Sequence, residues 1–225
     1  VAGAPIDLAG HPGLALVPEG ARWLLVLAHG AGAGMRHAFM EAIAEALAAR
    51  AIATARWEFP FMAAGKKRPD PAPVCEAAVR EVWVAARARW PALALIGAGK
   101  SMGARMTVRA QAAAPLPGLR GVVGFGFPLH PAKQPAITRG EHLGRVAAPV
   151  LLLQGTRDAL ADLGLVRAVV APLPHVTLHI VDDADHGFAV RKRSGRDDAA
   201  VIEELADACA GWLGGLEADM ASPGA

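Results

Sequence analysis

The chain has 225 residues, 53% of them hydrophobic, and its 23 basic and 21 acidic side chains leave a net charge of +2. This length points to one domain, two at most, with a core large enough to need no disulfide staples. The near balance of charge excludes a global field for nucleic acid or an anionic membrane, and Gly, Pro or charge breaks every apolar run before the ~18 residues of a membrane span.

Taken in chain order, short β-type runs alternate with helical patterns, as in a doubly wound α/β domain with a mostly parallel sheet and helices on both faces. Leu14 to Val17, a turn at Pro18-Glu19-Gly20, and Trp23 to Ala28 predict an opening hairpin or pair of strands. A helix is expected from Phe39 through Ala49, with Phe39, Ile43, Ala46 and Leu47 on one face. Ile52 to Phe59 reads as a strand, and Val74 to Trp90 as a helix stopped by Pro91. Next come a strand over Ala92 to Ile96, a helix over Met102 to Ala114, and a strand from Gly121 to Phe127 that breaks at Pro128. The last third predicts a strand at Val150 to Gln154, a helix at Leu160 to Val170, a strand at His175 to Val181 and a final helix from Asp197 to Leu213. With no repeat and no dividing linker, residues 1–216 are expected to form a single domain and 217–225 a frayed tail.

Chemistry enters at Ser101, one of only three serines. It sits in Gly99-Lys100-Ser101-Met102-Gly103, between an apolar strand and a helical stretch. That strand-turn-helix lifts a serine oxygen to the top of a parallel sheet, and the flanking glycines make room for so sharp a turn. A serine hydroxyl needs a base within hydrogen-bond reach, itself oriented by a third group. In open α/β sheets such partners lie just beyond the carboxyl ends of strands. Asp158, in Gln154-Gly155-Thr156-Arg157-Asp158, and His186, in Asp185-His186-Gly187-Phe188, both meet that condition. The chain order Ser, Asp, His is also that of serine nucleophiles on this kind of elbow.

Position separates His186 from the other histidines. His11 lies near the N-terminus, His37 precedes a helix, His142 falls in an expected surface helix, and His175 and His179 share one face of a strand. His29 opens a glycine loop and His130 is flanked by prolines. Asp162 is the rival acid one helical turn on, while Asp182, Asp183 and Asp185 stand too close to His186 in sequence to reach around to its Nδ1. The loop His29-Gly30-Ala31-Gly32-Ala33-Gly34 follows a strand, so its amides can face a developing oxyanion together with the amide of Met102. Ala31 and Met102 are the expected donors. Its glycine spacing does not match a dinucleotide fingerprint, and Gly97-Ala98-Gly99-Lys100-Ser101 is no P-loop because no glycine stands where the first one is required.

Gly30, Gly32, Arg105, Phe61 and Phe127 are the candidate substrate-binding residues; for the last three, helix or core packing is the favoured use. No HExxH, paired CxxC or complete EF-hand loop is present, so the expectation is no metal and no cofactor. Cys75 and Cys209 read as packing thiols of a reduced, cytoplasmic protein, and no basic-then-apolar leader is visible. Lys66-Lys67-Arg68 and Arg191-Lys192-Arg193 lack interleaved aromatics and read as solvated surface.

Together these residues resemble the α/β-hydrolase superfamily, in its compact dienelactone-hydrolase-type branch. The set His29-Gly30-Ala31-Gly32, Gly99 to Arg105, Gly126-Phe127-Pro128-Leu129-His130-Pro131 and Asp185-His186-Gly187-Phe188 further resembles the testis-expressed-protein-30-like group. Ala104 departs from that pattern, which often has a glycine there. The resemblance implies an eight-strand-type sheet trimmed at its N-terminal edge, with Ser101 as nucleophile, Asp158 as acid and His186 as base. The short connection from Phe127 to Pro149 leaves no room for a large lid, which favours a small ester or thioester as substrate. The resemblance implies a rival too, because relatives of the subgroup include non-enzymatic members of chromatin complexes: a non-catalytic binding or scaffold protein that keeps the fold.

Overall fold

Residues 3–221 are described in a computed structural model of the chain. Strand β3 (Trp23–Ala28) is buried at every position, as a strand covered on both faces must be. Its pleat sends Trp23, Leu25 and Leu27 into one core and Leu24, Val26 and Ala28 into the other. The first core is closed by α1 (Ala38–Ala48) and α6 (Asp198–Ala221), through Phe39, Met40, Ile43 and Leu47 from one and Val201, Leu205 and Cys209 from the other. The second is closed by α2 (Pro60–Ala63), α3 (Ala72–Arg89) and α4 (Met102–Ala113), with Phe61, Val79, Val82, Trp83 and Met106 packed inside.

The other strands are β1 (Ala4–Leu8), β2 (His11–Leu16), β4 (Ile52–Trp57), β5 (Ala94–Lys100), β6 (Val122–Phe125), β7 (Val150–Gly155) and β8 (Val176–Val181). They form one eight-stranded sheet in the order β1-β2-β4-β3-β5-β6-β7-β8. From β4 to β8 every pairing is parallel, while β1 and β2 join antiparallel at one edge. Helix α5 (Leu163–Val170) packs against β8 at the other edge. This is the α/β-hydrolase fold. Among the described residues no helix is long and apolar enough to cross a membrane.

Three expectations are corrected here. Of the expected hairpin or pair of strands, the pair is present as β2 and β3 but the hairpin is not: Trp23–Ala28 does not pair with the strand before it, the hairpin is β1–β2, turning at Ala9 and Gly10, and β2 then pairs with β4. Strand β1 carries little apolar signal because it is an exposed edge, with Leu8 alone buried and Ile6 half-buried. Its presence makes the sheet complete at the N-terminal edge, not trimmed. The final helix runs past Leu213 to Ala221, so 217–221 are helical instead of frayed. Glu217 pins that end, accepting from Arg22 Nη2 at 2.7 Å and Trp23 Nε1 at 2.6 Å. The rest of the expected tail, 222–225, lies outside the described residues.

Smaller shifts have local causes. The sixth strand stops at Phe125 because Gly126 turns into the left-handed region at φ 63°. His142 caps a 3₁₀ turn (Leu143–Arg145) and not an α-helix. Both cysteines are buried free thiols in separate cores, and burial pushes the Cys75 thiol up to about 11.

Candidate active site

The parallel strands β3, β5, β7 and β8 run the same way, so the segments that follow them gather at one edge of the sheet. After β5 the chain turns at once into α4 through Ser101, whose φ of 52° and ψ of −114° are costly for a residue with a Cβ. Two close approaches allow this turn. A Cβ on Gly99 would lie 2.2 Å from the Gly103 carbonyl carbon, and one on Gly103 would lie 2.3 Å from the Ala28 carbonyl oxygen. Ala104, the departure from the family pattern, is fully buried and packs its methyl over Gly124 of β6.

Ser101, Asp158 and His186 come together. Ser101 Oγ lies 2.8 Å from His186 Nε2, and His186 Nδ1 lies 2.7 Å from Asp158 Oδ2. A carboxylate only accepts, so Nδ1 carries the proton and the Nε2 lone pair faces the serine hydroxyl. The Asp158 side chain is buried; its Oδ2 also accepts from Gln154 Nε2 at 2.6 Å and its Oδ1 from the Leu160 amide at 2.7 Å. The rival carboxylates are engaged elsewhere. Asp162 caps α5, Asp183 pairs with Arg191 and Arg157, Asp185 accepts from the amides of Gly187 and Ala189, and Asp182 faces Thr156.

The loop after β3 passes close to the serine: a Cβ on Gly30 would sit 3.6 Å from Ser101 Cβ. His29 holds it there. Its Nε2 accepts from the Phe59 amide at 3.0 Å, which leaves Nδ1 to donate to the Gly30 carbonyl at 2.7 Å. Burial pushes the pKa of His29 down, so it stays neutral in this role. Glu58 steadies the far end of the loop, accepting from the Met35 amide at 3.0 Å. Met102 occupies the first position of α4, where an amide has no intrahelical acceptor.

A cleft of about 430 Å³ opens over these groups, lined by Gly30, Ala31, Gly32, Met40, Lys100, Ser101, Leu160 and His186 among others. No residue of 128–149 lines it, so that connection forms no cover. Gly30, Ala31 and Gly32 are therefore part of the cleft lining. Phe61, Phe127 and Arg105 are not. Phe61 and Phe127 are buried in separate cores, and Arg105 is half-buried on α4, its guanidinium pKa pushed down by burial and by the charges of Arg139 and Arg109.

Sequence reasoning missed Lys100 and Gln154. Lys100 ends β5 and Gln154 is the penultimate residue of β7, each with a polar side chain on a buried face, and that break in strand periodicity is the signal that could have found them.

The alpha/beta hydrolase domain family matches residues 21–214, and the chain belongs to that family. Among solved structures it is similar to a dienelactone hydrolase from Anabaena variabilis at 19% identity and a TM-score of 0.71, over 94% of this chain and 95% of that one. A serine hydrolase without a lid from Xanthomonas campestris shares 22% identity with a TM-score of 0.73, over 93% and 94% of the two chains. A serine hydrolase homologue from Coxiella burnetii gives 19% and 0.71, over 91% and 95%.

Proposed function

We propose that this protein is a serine hydrolase that cleaves a small ester or thioester through an acyl-enzyme intermediate. The observation that carries the reading is the unbroken hydrogen-bond chain from Ser101 Oγ through His186 to the buried Asp158. In this mechanism Ser101 Oγ attacks the substrate carbonyl carbon while His186 Nε2 takes its proton. Asp158 holds the tautomer and stabilises the imidazolium without taking the proton. The negative oxygen of the tetrahedral intermediate is met by the amides of Met102 and Ala31, each such donor being worth about 3 kcal/mol. Collapse breaks the bond to the alcohol or thiol, which leaves with the proton from His186. A water molecule then repeats the cycle on the acyl-serine and returns the free enzyme and a carboxylic acid. This chemistry calls for no cofactor.

The uncovered cleft supports a small substrate over a long lipid presented at an interface. Placement within the testis-expressed-protein-30-like group is proposed on the motifs alone. A short-chain chromogenic ester should release its alcohol with a burst equal to the enzyme concentration, and a fluorophosphonate should label Ser101. Folded protein that shows neither would leave the non-catalytic scaffold as the better reading.

A further inference from the structure

One buried ionisable group takes no part in the steps above. Lys100 immediately precedes the nucleophile, and the β5 pleat places it on the same face as Ile96 and Ala98, the face that packs against α1 and α6. An apolar residue is expected there, yet the position holds an ammonium that is only 9% exposed. Its Nζ donates to the main-chain carbonyl of His186 at 2.5 Å. It also stands 5.1 Å from the ring centroid of Phe188 and 5.5 Å from that of Phe39, two rings that stack on each other. Gly126 makes the space, since a Cβ there would lie 3.0 Å from Nζ.

The contacts close a ring. Ser101 Oγ meets the imidazole of His186, the carbonyl of the same His186 accepts from Lys100, and Lys100 is bonded through its peptide to Ser101. The two imidazole bonds hold only the ring, whereas this third attachment ties the main chain of His186 itself to β5. We infer that Lys100 is a positioning residue for the reaction, clamping the His186 main chain to the nucleophile strand so that Nε2 stays within reach of Ser101 Oγ. This inference rests on the serine hydrolase reading.

A buried lysine costs desolvation, and the burial pushes its pKa down to about 8. Such a group is retained at the expense of stability, which separates its role from simple core packing.

The test compares Lys100→Met and Lys100→Arg with the unsubstituted protein, following the rate constant of fluorophosphonate labelling on folded protein, ester kinetics and Tm. For Lys100→Met the expectation is a loss of about 10- to 100-fold in labelling rate and kcat, as for a misplaced base, with KM within about twofold and Tm unchanged or raised. Lys100→Arg, which keeps a charged donor, should recover part of the rate. Equal labelling rates in Lys100→Met and the unsubstituted protein overturn the clamp and leave the hydrolase reading intact. A fall in Tm with no recovery of rate in Lys100→Arg also overturns it, in favour of plain packing. Absence of labelling in the unsubstituted protein overturns the hydrolase reading and the clamp with it.

Discussion

Two loops at the top of the sheet are fastened by histidines, and a third exposes one. After β3, His29 accepts from the Phe59 amide and contacts the Gly30 carbonyl; after β6, His130 accepts from the Asp162 amide at 2.9 Å and contacts the Pro131 carbonyl at 2.8 Å. Each ring joins two segments of backbone, is nearly or wholly buried, and has both nitrogens committed to the main chain. His186, after β8, differs in its partners. Its nitrogens face only side chains, Asp158 and Ser101, and its own side chain is 26% exposed toward the cleft. The same imidazole is thus a fastener where an amide occupies its lone pair and, in the proposed mechanism, a base where a hydroxyl does.

The largest effect that breaks the contrast is at the nucleophile. Ser101→Ala should lower kcat by about 10⁴-fold or more while the fold persists. Ser101→Gly should lose turnover equally yet raise Tm, because it relieves the positive φ of the elbow, a strain of order 1 kcal/mol or more. Circular dichroism melts beside ester turnover read both outcomes; a lower Tm in Ser101→Gly would show that the elbow is unstrained.

Asp158→Asn comes next. The amide can present a donor where Nδ1 needs an acceptor, and kcat should fall by about 10³- to 10⁴-fold with little change in KM. Retention of near-normal kcat would move the orienting role to another carboxylate.

The fasteners should behave in the opposite way. His29→Leu and His130→Leu each strand a main-chain amide without its acceptor, and each should cost about 1 to 3 kcal/mol in denaturant unfolding. His29→Leu should lower kcat as well, through the loop that carries Ala31, while His130→Leu spares it more. Because the folded pKa of His29 lies below its unfolded value of about 6.5, the unfolded chain takes up the proton first as pH falls. Stability conferred at this position is therefore complete above about pH 6.5 and declines below it. His29→Leu should flatten that part of the stability profile.

The smallest effect concerns how the exposed histidine's loop is anchored. Asp183 accepts from the Arg191 side chain and amide, and this hydrogen bonding holds its carboxyl at about 2. Its contribution is complete above an unfolded value of about 3.9 and is lost as pH falls toward 2. Arg191→Met should shift the acid-unfolding midpoint slightly upward, and an unchanged midpoint would mean that the pair is too solvated to matter.

Much of the site was legible in the linear chain because its signals are local. The elbow's glycines flank Ser101 within five residues, and the strand-end positions of Asp158 and His186 follow from apolar runs that any parallel sheet must bury. Phe61 and Phe127 were legible only as a choice in which core packing was favoured, because a phenylalanine near a strand end looks the same whether it faces a cleft or the next helix. The edge strand β1 escaped notice for a related reason: only Leu8 of it is buried, and an edge needs no apolar alternation to pair.

By itself, then, the sequence determined the α/β architecture, the glycine-flanked turn at Ser101 and the strand-end positions of Asp158 and His186, since periodicity, glycine sterics and strand ends act over a few residues. Only the tertiary structure decided that His29 and His130 fasten main-chain segments, that Glu217 belongs to the folded body, and that Lys100 reaches the carbonyl of a residue far along the chain. Those outcomes depend on the lone pairs and donors that packing brings together, and no stretch of sequence contains both halves of such a contact.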